Sequence, residues 1–79
     1  MANTLFQELL RCARDSGVEI RHVPLGGGGG GVATVKGVIR LYVDTDADPE
    51  DQLEKTVIAL RGLPQVMAKP LRTDIKRLL

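Results

Sequence analysis

Aromatic side chains are almost missing from this sequence: Phe6 and Tyr42 are the only two, and tryptophan is absent. A core made from it must be aliphatic, and there is no set of rings on which nucleic-acid bases could stack. A single cysteine, Cys12, cannot make an internal disulfide. The single histidine, His22, has no Cys, Asp or Glu beside it at metal-ligand spacing, so it reads as the end of a strand before it reads as a ligand or base. No apolar run is long enough for a signal-peptide h-region or a membrane span, and the chain reads as cytoplasmic. Charge of one sign is lacking as well. Eleven basic residues against ten acidic leave a net charge of +1, so no whole-protein field draws the chain to nucleic acid or to an anionic membrane.

What is present is 79 residues, 43% of them hydrophobic, which makes one domain spanning 1–79. At this size folding buries only roughly 60% of the surface that the unfolded chain exposes, and self-association is a plausible supplement to stability. The charges are unevenly placed. Asp44, Asp46, Asp48, Glu50, Asp51 and Glu54 form an acidic block, while Lys69, Arg72, Lys76 and Arg77 face only Asp74 near the C-terminus. Such blocks suit the start and the end of helices.

From Thr4 to Ser16 the apolar residues Leu5, Phe6, Leu9, Leu10 and Ala13 share one helical stripe, with Asn3 or Thr4 as cap and Gly17 where a left-handed C-terminal cap is wanted. Val18 to Val23 alternates as a strand until Pro24. Six glycines follow, Gly26 to Gly31. They satisfy G-x-G-x-x-G formally, but a dinucleotide fingerprint opens a helix, and here Val32 to Val35 promises a strand, so the run reads as a flexible loop. Val38 to Val43 is the next strand. Lys36-Gly37 either makes a hairpin turn between the two or marks a bulge in one long strand. Asp48-Pro49-Glu50-Asp51 starts a second helix, with Asp48 as N-cap and Leu53, Val57 and Leu60 on its buried stripe. Thr73 is placed to cap a short last helix held by docking. The fold expected is α+β: an N-terminal helix, a small antiparallel meander of two or three strands, a second helix and a short C-terminal helix, with both main helices on one sheet face.

Asp44, Asp46 and Asp48 have the D-x-D-x-D spacing that opens an EF-hand, which makes them the only metal candidates. The position needing a flexible glycine is Pro49, and the one needing a bidentate glutamate is Lys55. Cys12 lies near the buried stripe of the first helix and reads as a small hydrophobe. No catalytic residue is assigned, and no cofactor is implied. For binding, the residues singled out are Gly28 and Gly29 in the loop, His22, and Arg40 and Tyr42 on the semi-polar sheet face.

The order of helix, strand, glycine turn, Val/Ile-rich strand pair and acid-capped helix, over roughly Val18 to Leu60, resembles the core of the ImmA/IrrE-type zinc metallopeptidases and also small uncharacterised bacterial proteins. In that family the helix after the last strand carries H-E-x-x-H. Here the corresponding stretch is Lys55-Thr56-Val57-Ile58-Ala59, so the resemblance extends to the fold and not to zinc or peptidase activity. The function expected is that of a non-catalytic protein-interaction module with an unidentified protein partner. The rival is a degenerate metallopeptidase-like or small hydrolase domain using His22 and the acidic segment 44–51, which requires those groups and Cys12 to converge beside the glycine loop. The sheet face carrying Val38, Arg40 and Tyr42 has no helix assigned to it. It is covered either by a second copy in a homodimer, through that face or an open strand edge, or by Val66, Met67 and the Leu71-to-Leu79 segment folding over as a lid.

Overall fold

The computed structural model of the chain describes residues 4–28 and 30–79. Asn3, one of the two candidate caps, and Gly29 lie outside the described residues. The first helix, α1, runs Thr4–Asp15 and buries Leu9, Leu10 and Ala13. It closes on Gly17, whose φ of +87° lets its N–H reach the Arg14 carbonyl at 3.0 Å while the Val18 N–H reaches that of Ala13 at 3.0 Å. This paired bonding is a Schellman motif, and its usual apolar contact is present in the burial of Ala13 and Val18.

Three strands follow: β1 (Glu19–Val23), β2 (Gly31–Val35) and β3 (Val38–Asp44). Lys36 and Gly37, at φ +51° and +80°, make the two-residue turn of a tight hairpin, and Val35 pairs with Val38 directly across it. β2 and β3 are therefore separate antiparallel strands. The expected meander ends there, because the sheet is mixed, with order β1-β3-β2, and β1 lies parallel to β3. The segment after Pro24, rich in glycine, is long enough to cross the end of β3 instead of turning back beside β1. The most apolar strand thereby takes the centre, with a neighbour on each side.

After an acidic turn comes α2 (Pro49–Arg61). Asp48 stands at its N-cap without a side-chain cap bond, and the first turn is completed by Gln52 N–H donating to the Asp48 carbonyl at 2.9 Å. Glu50 and Asp51 occupy the first turn, where the helix dipole favours acids. The short helices α3 (Pro64–Met67) and α4 (Thr73–Leu78) end the chain. Thr73 lies inside α4 and Arg72 takes the cap position. No side-chain cap bond forms there, so the expected threonine cap is absent, and within the first turn Asp74 Oδ1 accepts the Ile75 N–H at 3.0 Å.

α1 packs on β1, while α2 packs on β2 and β3. Their apolar stripes meet Leu41 and Val43 in one core with Ile20 and Ile39 at its margin. The terminal helices belong to the same layer, since α3 packs on α2 and α4 on α1. Val66 and Ile75 are fully buried in that core. The lid alternative is thus overturned: anchoring Ile75 between the helices takes the C-terminal segment away from the face of Arg40 and Tyr42.

Candidate functional site

Glycine loop and acidic turn meet at the C-terminal end of β3. Asp44 is 2% exposed, and its carboxylate gathers backbone donors. Leu25 N–H and Asp46 N–H reach Oδ1 at 2.8 and 2.9 Å, and Gly27 N–H reaches Oδ2 at 2.8 Å. Gly26 N–H donates to Asp46 Oδ2 at 3.0 Å. Gln52 donates from Nε2 to the Asp44 carbonyl at 2.8 Å, tying α2 to the same corner. A glycine-rich run whose successive N–H groups converge is an anion-binding nest. Here the anion is the protein's own, because Asp44 and Asp46 take the amides that a phosphate would need. The loop is a clasp closed on the end of β3.

This arrangement also explains the D-x-D-x-D spacing. Asp44 and Asp46 hold backbone donors and Asp48 marks the start of α2. Among the described residues no three His, Cys, Asp or Glu side chains come together as a metal site would require. Gly28 is exposed at the tip of the loop.

His22 is elsewhere. It pairs in register with Val43 on the helix-bearing side of the sheet, yet it is exposed because β1 is an edge strand. It borders a groove of about 460 Å³ against Phe6, Leu10, Arg11 and Arg14 of α1, and no glycine of the 26–31 loop lines that groove. Cys12 is half-buried in α1. Burial, and then the nearby Asp15 and Glu8 carboxylates, push its thiol above the usual range, against a smaller opposing pull from Arg72. At neutral pH it is a thiol and not a nucleophilic thiolate. Neither Cys12 nor any residue of the acidic segment 44–51 lines the groove that His22 borders.

Arg40 and Tyr42 stand together on the other sheet face, which no helix among the described residues covers. Glu19 Oε1 there pairs with Arg21 at 2.6 Å and with Arg40 Nε at 3.4 Å. The second contact is not aligned as a hydrogen bond and leaves the buried Nε without an acceptor. The apolar part of this surface comes from Val35, Val38 and Tyr42, and it continues into a hollow of about 320 Å³ lined by Leu25, Gly30, Gly31, Val32 and Tyr42. That hollow is invisible to sequence patterning, because it is made by the crossing loop. Compared with protein families, with curated proteins and with solved structures, the chain matches none.

Proposed function

We propose that this domain is a non-catalytic protein-interaction module of the cytoplasm that pairs with a second copy of itself through the uncovered sheet face. The observation that carries the reading is the one-sidedness of the sheet. Leu41 and Val43 are sealed beneath helices, while Val38 on the opposite face is 42% exposed and no element among the described residues lies over it. On β2, Val35 and Ala33 pair with Val38 and Arg40 and carry the same face across to the second edge of the sheet, while Leu25, 45% exposed, lies with Tyr42 at the hollow where that face ends. Exposed apolar surface bordered by charge marks interaction sites on small domains. Glu19 flanked by Arg21 and Arg40 supplies charges of both signs, so a two-fold partner can present its carboxylate to the other copy's guanidinium groups. A free thiol and the lack, among the described residues, of a helix long and apolar enough to cross a membrane are in keeping with the cytoplasmic assignment.

Light scattering across dilution from about millimolar to micromolar tests the pairing. A mass approaching twice 8.6 kDa is expected at the concentrated end, falling to the monomer value on dilution. Val38→Glu, a change at an exposed position, should hold the mass at the monomer value without altering the circular dichroism spectrum. A constant monomer mass for the unmodified chain throughout overturns the reading.

A further inference from the structure

A second surface, at the edge of the sheet and adjoining the face just described at Glu19 and Val38, has the form of a peptide-binding groove. Val23 accepts from Thr45 N–H at 2.9 Å, so its backbone groups point toward β3. By strand alternation those of Ile20 and His22 point away from the sheet, and no N–H or carbonyl from outside it meets them among the described residues. Alongside this open edge runs α1. The turn at Gly17 reverses the chain, so the early residues of α1 lie by His22 and the late ones by Glu19. The groove's two halves, about 460 and 530 Å³, share Arg14 and His22 at their junction.

The charge in the groove is unbalanced. Glu8 is held by both Arg11 at 3.7 Å and Arg72 at 3.2 Å, and Glu19 by both Arg21 and Arg40. Each acid at the margin is thus shared between two guanidinium groups. Arg14, between them, has no ion-pair partner among the described residues. An incoming acid meets an uncompensated cation there. The other open edge, β2, reads Gly-Val-Ala-Thr-Val from Gly31 to Val35 and offers no charge.

We infer that β1 accepts an extended acidic peptide from another protein, which adds to the sheet as a fourth strand in the groove against α1. Main-chain bonds to Ile20 and His22 would supply affinity and side-chain pockets specificity, as in other strand-addition complexes. The periods agree: strand residues two apart are spaced by about 6.7 Å. Helix residues four apart, such as Leu10 and Arg14, are spaced by about 6 Å. A peptide carrying an apolar residue and then an acid two positions later therefore sets the first on Phe6 and Leu10 and the second on Arg14.

The test uses the full isotopically labelled chain and an acetylated octapeptide with threonine at odd positions and valine, glutamate, glutamate and valine at even ones. A control peptide has lysine for each glutamate. Binding should slow amide hydrogen exchange at Ile20 and His22, and the lysine peptide should bind at least about tenfold more weakly. Arg14→Glu, at an exposed position, should reverse that preference while leaving the spectrum of the core unchanged. Equal binding of the two peptides, binding without protection of Ile20 and His22, or no binding up to about millimolar peptide overturns the inference. So does protection of those two amides in the free protein that disappears on dilution, since the edge would then belong to a second copy. Molar mass plays no part in this readout, so its failure and that of the face-to-face pairing are separately visible.

Discussion

Asp44 shows how much one side chain contributes to this corner of the molecule. It is a strand residue by position, but its two carboxylate oxygens organise the loop that precedes the sheet's second strand. Asn in its place would turn an N–H₂ group toward donors that now find an acceptor. Asp44→Asn is therefore expected to cost about 2–3 kcal/mol, since hydrogen bonds to charged groups are worth about 1.5–3 kcal/mol and an unmet buried donor adds to the loss. Urea denaturation with an unchanged slope checks this, and a loss of less than about 0.5 kcal/mol would show that the clasp does not hold the loop. The glycines of the run are not equivalent either. Gly30 has φ +111°, and a Cβ there would stand 3.2 Å from the Tyr42 carbonyl oxygen, whereas Gly28 has open space and no positive φ. Gly30→Ala should destabilise by about 1–3 kcal/mol. Gly28→Ala should be neutral or stabilising by up to about 1 kcal/mol through the unfolded state. Equal effects of the two would mean that the loop path is not the one described here.

At the scale of elements, α4 is the informative case. Six residues cannot sustain a helix alone, and this one depends on what it touches. Ile75 is fully buried, Arg61 donates to the Leu78 carbonyl at 2.8 Å, and Arg72 reaches Glu8 of α1. Lys69 donates to the Asp15 carbonyl, holding the segment just before α4 against the end of α1. The three polar contacts are exposed or nearly so and are worth little each. Ile75 carries the docking. Ile75→Ala should therefore cost about 2–4 kcal/mol and release the last helix selectively. Hydrogen exchange should show the amides of α4 losing protection before those of β3. Simultaneous loss everywhere would make α4 part of the global folding unit instead.

The whole molecule is a slab, 34 × 33 × 16 Å. Its shortest dimension is close to one sheet plus one layer of helices, with sheet and helix layers about 10 Å apart in such packings. Among the described residues all four helices lie on one side, and no further element closes the other. Two copies face to face would bury Val35, Val38 and Tyr42, and with Val38 part of the groove half beside Gly17, leaving the half lined by Phe6, Leu10, Arg14 and His22 exposed. A peptide seated against Phe6, Leu10 and Arg14 and a second copy seated on Tyr42 therefore meet only at Val38 and Glu19.

The helices were legible from residue order. The stripe of Leu5, Phe6, Leu9, Leu10 and Ala13, the glycine at 17 and the Asp48-Pro49 start are local signals, and helical bonds close within four residues, so a local pattern is enough. The Lys36-Gly37 turn was legible for the same reason, although as one of two alternatives. Strand order was not. Whether β1 pairs with β2 or with β3 depends on contacts about twenty residues apart, and the glycine run tolerates either path. Nor did spacing show that Asp44 and Asp46 face inward to the glycine amides, because an acid seen in sequence has no direction. Which charges lack a partner was likewise settled in three dimensions: Arg14 differs from Arg11 and Arg72 by where Glu8 stands, and Glu8 is a neighbour to Arg72 only after α4 has docked.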